Sequence, residues 1–169
     1  SDIALFSGNA SDYTVTFSND AYTLVDRRPG AADGTDTVSN VETFRFADGD
    51  VAAANLEINA APTDLELIGG NIDENAVNGT VVGTVTGSDA DAGDTLSYAL
   101  VDDAGGRFAI NGTTGEITVA DGSLLDYETT TSHDITVRVT DSGGLFYDES
   151  FVIAVNDVFE AVFNGSASR

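Results

Sequence analysis

From Leu65 onward, short apolar-and-polar alternations recur between turn signals, and no stretch shows a helical period. Ile135, Val137 and Val139 point one way while Thr136 and Arg138 point the other, and Phe151, Ile153 and Val155 repeat the pattern. A period of two puts alternate side chains on opposite faces of a strand. Asn78-Gly79 and Asn111-Gly112 supply the residues that tolerate the positive φ of tight turns. Seven segments read as strands: 65–68, 80–86, 96–101, 108–111, 116–119, 135–140 and 146–155. Seven strands in about 95 residues predict an all-β fold, a seven-stranded Greek-key β-sandwich.

Residues 1–56 read as a separate small β-rich unit. Tyr13–Phe17 and Tyr22–Leu24 alternate around Ser18-Asn19-Asp20, which predicts a hairpin. Val41, Phe44 and Phe46 supply an apolar patch. A unit of this size is expected to lack a sufficient core of its own and to pack on a neighbour. Residues 57–62, ending in Pro62, read as a linker, because proline holds its predecessor extended. The sandwich is assigned to 63–158, and 159–169 to a tail or the start of a next repeat. Phe6-Ser-Gly-Asn-Ala-Ser11 recurs as Phe163-Asn-Gly-Ser-Ala-Ser168, an offset of 157 with four of six positions identical. That spacing implies one period of a tandem array. The start at Ser1 reads as that of an excised fragment.

Charge narrows the function. There are 29 acidic residues against six arginines and no lysine, a net charge of −23. Such a balance excludes non-specific binding to nucleic acid or to an anionic membrane surface. No 18-residue apolar run is present to insert into a membrane. The absence of cysteine rules out disulfide scaffolds, thiolate zinc sites and cysteine catalysis. No nucleophile elbow, zinc-ligand set or phosphate loop is visible, so the chain does not read as an enzyme. His133, the single histidine, reads as an exposed loop residue, and the sequons at Asn9, Asn78, Asn111 and Asn164 read as turns.

The acids cluster. Ser88-Asp89-Ala90-Asp91-Ala92-Gly93-Asp94 holds three carboxylates in a segment too short and too rich in Gly and Ala for a helix. Unpaired burial of such charges costs several kcal/mol, so the loop faces water or holds a hard cation. Ca2+ accepts six to eight oxygens in flexible geometry. An EF-hand register fails, because its twelfth position falls on Leu100 rather than Glu. One end of the sandwich is expected to gather Asp89, Asp91 and Asp141 with Asn59 and Glu57 from the incoming linker. The other is expected to gather Glu74, Asp126 and Glu128 with Asn156 and Asp157 from the outgoing one.

These residues resemble the cadherin repeat in its bacterial, cadherin-like form. Asp89-Ala-Asp91 is similar to that family's DAD motif, and Leu125-Asp126-Tyr127-Glu128 to its LDRE motif, with Tyr for Arg. Glu74-Asn75 is similar to its PEN motif without the proline, and Asp141-Ser-Gly-Gly-Leu145 to its DxGxL turn. The resemblance covers residues 58–158. It implies Ca2+ as cofactor, with neighbouring repeats of the same chain as partners and homophilic contacts as a further possibility. It also implies a calcium-stiffened spacer of an extracellular adhesion protein. Ala60 stands where the family linker has Asp, and the second linker lacks its leading Asp, which implies fewer or weaker ions at each joint. Asp33–Gly49 resembles the blocks that follow β-roll repeats in secreted bacterial RTX proteins, and Gly34-Thr-Asp36-Thr-Val38 matches half of one such repeat. That resemblance implies a bacterial cell-surface setting. The alternative is a calcium-dependent carbohydrate-binding module of a secreted enzyme, with surface polysaccharide as partner.

Overall fold

A computed structural model describes residues 2–159. Residues 163–168, which carry the recurrence of Phe6–Ser11, and most of the expected tail 159–169 lie outside the described residues. The chain divides into two compact units. The first comprises residues up to Ala61 with Asp89–Asp94 and Ser142–Leu145; the second comprises Pro62–Ser88, Thr95–Asp141 and the chain from Phe146.

The first unit contains six strands: β1 (Ile3–Leu5), β2 (Tyr13–Ser18), β3 (Ala21–Asp26), β4 (Thr35–Ser39), β5 (Thr43–Phe46) and β6 (Gly49–Ala52). They form two three-stranded sheets, ordered β1-β5-β6 and β2-β3-β4. The expected hairpin is β2–β3. Asn19 and Asp20 close it at φ 52° and 60°, the paired positive φ that a two-residue turn between twisted strands requires. The parallel pairing of β1 with β5 is not a hairpin, so the unit is more than hairpin-rich.

This unit also has the core that its size argued against. Tyr13, Val15, Leu24, Phe44 and Phe46 are buried, and Phe6 packs on them. Phe6 lies 5.3 Å from the Tyr13 ring, 5.4 Å from Phe46 and 6.1 Å from Phe44. Each aromatic ring buries 150–250 Å² and prefers such tilted or offset partners, so a few rings replace many aliphatic residues. A charged network adjoins them. The buried Asp26 takes Arg28 at 2.7 Å, and the Arg28 guanidinium lies 5.6 Å from the Tyr13 ring centroid. Asp33 accepts hydrogen bonds from the Ser7 amide at 2.7 Å and from the Tyr13 hydroxyl. The half β-roll motif and its flank are therefore structural parts of this unit.

The second unit contains eight strands: β7 (Asp64–Gly69), β8 (Asn71–Asp73), β9 (Val81–Ser88), β10 (Ser97–Asp102), β11 (Phe108–Ile110), β12 (Glu116–Val119), β13 (Ser132–Thr140) and β14 (Phe146–Asn156). They make two four-stranded sheets, ordered β10-β13-β14-β8 and β11-β12-β9-β7. All seven expected segments are strands, but the count of seven is too low. Gly69 and Gly70 adopt φ 108° and 94°, which breaks the first strand. The chain then crosses to the other sheet, where β8 runs parallel to the end of β14. The inward residues of β13, Ile135, Val137 and Val139, are fully buried with Val85, Ile117 and Ile153 from both sheets and with Leu125 from the segment between β12 and β13.

His133 departs from the loop expectation. It belongs to β13, opposite Ile153, with its ring 6.4 Å from Phe108. Its Nε2 is buried with no hydrogen-bond partner.

Candidate metal centres

Glu74 follows β8 directly. It is 4% exposed, and both of its oxygens are engaged. Oε2 accepts from the Tyr127 amide at 2.9 Å, and Oε1 from the Val158 amide at 2.8 Å. One carboxylate therefore pins both the Leu125–Glu128 segment and the outgoing chain. The backbone repeats the tie: the Glu74 amide donates to Asn156 O, and the Asn75 amide to Leu125 O. Asn75 sits at φ 55°, a left-handed conformation that Asn tolerates better than most residues.

This arrangement brings Glu74, Glu128 and Asp157 together, with a carboxylate oxygen of each within 4.8 Å of the others. Asp126 lines the same cavity, but its carboxylate is held by Thr129 through the hydroxyl at 2.7 Å and the amide at 3.2 Å. Asn156 is turned away and donates to Asp73 at 3.0 Å. Thus the structure joins Glu74, Glu128 and Asp157, places Asp126 at the cavity wall, and leaves Asn156 out. The charges oppose one another. A backbone hydrogen bond favours the Glu128 carboxylate, yet partial burial and the charges of Glu74, Asp157 and Asp126 outweigh it and raise the Glu128 pKa. None of the ion pairs formed by Arg28, Arg45 and Arg138 involves these acids.

The Asp89–Asp94 loop is organised differently from its expected reading. Asp91 folds back: its amide donates to Asp89 Oδ1 at 2.8 Å, and its Oδ2 accepts from the Ala60 amide at 2.6 Å. Gly93, at φ 96°, turns the chain and brings the Asp94 carboxylate within 4.8 Å of Asp89. Asp94 Oδ1 accepts from the Ser142 hydroxyl at 2.7 Å. Asp89 Oδ2 and Asp94 Oδ2 are buried and have no hydrogen-bond partner. Glu57, Asn59, Asp91, Asp94 and Ser142 line one cavity, with Arg27 at its wall. Gly143 leaves room for Asn59; a Cβ there would lie 2.5 Å from Asn59 Oδ1.

Asp94 was not among the expected ligands, although the acidic loop contains it. Spacing alone does not reveal that Gly93 reverses the backbone between Asp91 and Asp94. Asp141 directly follows β13, is 5% exposed and precedes Ser142 in the chain.

The donors are all oxygens, as Ca2+ prefers. Two buried carboxylate oxygens without a partner fit a cation, because a buried anion left uncompensated is costly.

The sequence model of the Cadherin domain matches residues 69–155, just over half of the chain. Cadherin-23 of rat is 37% identical over 100 residues, covering 56% of this chain and 3% of that protein. Protocadherin Fat 2 of rat is 40% identical over 90 residues, covering 50% of this chain and 2% of that protein. The chain thus spans only a few per cent of these relatives' lengths. Among solved structures, chicken VE-cadherin EC1-2 is similar with a TM-score of 0.51 and 22% identity, over 81% of this chain and 65% of that one. Drosophila N-cadherin EC1-3 is similar with a TM-score of 0.53 and 16% identity, over 94% of this chain and 64% of that one. At these identities the structures show the fold.

Proposed function

This chain belongs to the cadherin family, and we propose that it is a calcium-stiffened spacer of an extracellular adhesion protein, holding ions at two acidic centres. Domains of this family are adhesion modules that bind Ca2+. The observation that carries the reading is the convergence of Glu74, Glu128 and Asp157, supported by the two buried oxygens of Asp89 and Asp94.

At the first centre, Glu74, Glu128 and Asp157 would hold the ion, with Asp126 beside them. At the second, Asp89 and Asp94 would be the donors, with Asn59, Glu57 and Asp91 around the loop. Asn156, expected as a ligand, keeps its backbone tie to Glu74 and contributes no side chain. The physical effect is electrostatic. Without the ion the carboxylates repel, and the outgoing chain is held by the hydrogen bonds to Glu74 and by the Asn156–Asp73 pair. With it, oxygens from the sandwich and the outgoing chain share one positive centre.

Neighbouring repeats of the same polypeptide are the proposed partners. Their setting is the surface of a cell, of the bacterial RTX type that Asp33–Gly49 resembles. The carbohydrate-binding alternative needs an open aromatic face. Phe146 offers one only in part, because the Arg138 guanidinium lies 3.7 Å from its ring centroid.

Extracellular calcium modules bind with dissociation constants of roughly 10⁻⁴–10⁻³ M. At about ten times that concentration each site stabilises the fold by roughly 1.4 kcal/mol. Bound calcium measured per chain by equilibrium dialysis should saturate in the millimolar range, with melting temperature rising in parallel. Absence of both responses at 10 mM would end the proposal.

A further inference from the structure

Asn-Gly pairs occur at 78–79, 111–112 and 164–165. The last lies outside the described residues. The other two sit in turns of the sandwich, one between β8 and β9 and one between β11 and β12, yet they are held in opposite ways. Asn78-Gly79 is locked. The Gly79 amide donates to Val119 O at 2.7 Å, and Asn78 Oδ1 accepts from the buried Gly122 amide at 2.9 Å.

Asn111-Gly112 is open, and both residues are exposed. The Asn111 backbone is fixed: its amide donates to Glu116 O at 2.8 Å, and its carbonyl accepts from the Gly115 amide at 2.9 Å. Its side-chain Oδ1 accepts from two further amides, Thr113 at 2.9 Å and Thr114 at 3.1 Å. The Gly112 amide, by contrast, has no hydrogen-bond partner among the described residues. Two amides converging on one carbonyl oxygen are the arrangement that stabilises a developing oxyanion. They draw charge onto Oδ1 and leave Cγ more open to attack. The neighbouring nitrogen is the available nucleophile, and glycine sets no Cβ beside it.

We infer that Asn111 is a self-modification site of the folded protein, losing its side-chain nitrogen to attack by the Gly112 amide, and that Asn78 is not. In the first step Gly112 N gives its proton to solvent and bonds to Cγ of Asn111, and charge gathers on Oδ1 between the Thr113 and Thr114 amides. The Cγ–Nδ2 bond then breaks, and Nδ2 takes a proton from solvent and leaves as ammonia. The product is a five-membered cyclic imide. Water adds to either of its two carbonyls and reopens the ring, which leaves aspartate or isoaspartate at position 111; nothing is oxidised or reduced. At Asn78 the same step must first strip the Gly79 amide from Val119 O. The isoaspartyl form carries one more backbone carbon into the turn that sets the register of β11, an edge strand, against β12. Phe108 and Val119, paired in that register, are core residues. The chain has neither cysteine nor methionine for the usual oxidative lesions, so this turn is where the age of the molecule is recorded.

The test incubates the full chain in mildly alkaline buffer, folded and in denaturant, and follows the peptides containing Asn78 and Asn111 by mass spectrometry. Relative to the denatured chain, folding should slow conversion at Asn78 at least about tenfold more than at Asn111. A smaller difference overturns the inference. This comparison needs no substitution. Gly112→Ala, whose Cβ would lie 3.3 Å from Tyr98 O, should slow conversion at position 111 in the folded protein and leave position 78 unchanged. Conversion at position 111 that is indifferent to Gly112→Ala also overturns it.

Discussion

Glu74 and Glu128 share a cavity, yet their neutralisation should act in opposite directions. Glu74→Gln keeps the volume and one carbonyl oxygen, so one of the two amides retains a neutral acceptor. The other amide then meets an NH2 group, donor against donor. Hydrogen bonds to charged acceptors contribute about 1.5–3 kcal/mol each, and neutral ones about 1. Losing one and weakening the other should cost the sandwich about 2–4 kcal/mol in the absence of calcium. For a domain of this size each kcal/mol shifts the melting temperature by roughly 4–8 °C, so a fall of at least about 8 °C is expected. Glu128→Gln removes a charge opposed by Glu74, Asp157 and Asp126, and its amide oxygen can still accept the backbone hydrogen bond. In chelator it should leave stability unchanged or raise it. Both variants should lose calcium affinity. The assay is calorimetric melting of each variant in chelator and again in 10 mM calcium. If Glu74→Gln melts with the parent protein in chelator, Glu74 does not pin the two segments and the account of this centre is wrong.

Three further outcomes follow from other parts of the chain. Gly122→Ala puts a Cβ 1.8 Å from the backbone oxygen of Ala76, which cannot retreat as a side chain would; a loss of about 3 kcal/mol is expected in denaturant unfolding of the sandwich. Burial, with the nearby Arg107 charge adding to it, lowers the His133 pKa, and Asp134 opposes them. The folded state therefore takes up fewer protons than the unfolded one, and stability falls as pH drops below the unfolded value of about 6.5. His133→Asn should flatten the fall between pH 7 and 5.5. In the first unit, hydrogen bonding to Arg28 holds the Asp26 carboxyl well below its ordinary range, and the Tyr13 hydroxyl lowers the pKa of Asp33. Their contributions are complete above the unfolded carboxylate pKa of about 3.9 and fade as pH falls further. Arg28→Gln should abolish the first unit's melting transition at pH 7 and leave that of the sandwich in place.

Much of the sandwich was legible because alternation over four or more residues marks a buried face. Ile135, Val137 and Val139 needed no further context. β8 was not legible: three residues after a Gly-Gly break carry no period. The first unit's core was missed for another reason. Phe6, Tyr13, Phe44 and Phe46 lie far apart in sequence, and only the fold shows four rings meeting. The acidic centres divide the same way. Motif spacing gathered Glu74 with Glu128 and Asp157, but it could not rank Asp91 against Asp94. That choice rests on one glycine's φ and on the Ala60 amide that draws Asp91 away.

The crossing of the first sandwich strand at Gly69-Gly70 has a mechanical consequence. β8 lies parallel to the last residues of β14, pairing Asn71 with Ala154 and Asn156 with Asp73. The chain enters through β7 and leaves beyond Asn156. Tension applied through the two termini draws these parallel neighbours in opposite directions along their length. Their hydrogen bonds are then loaded together in shear, not opened one at a time as in a peeled hairpin, so three residues too brief to notice in the sequence act as the clamp that a tethered molecule under traction must break first.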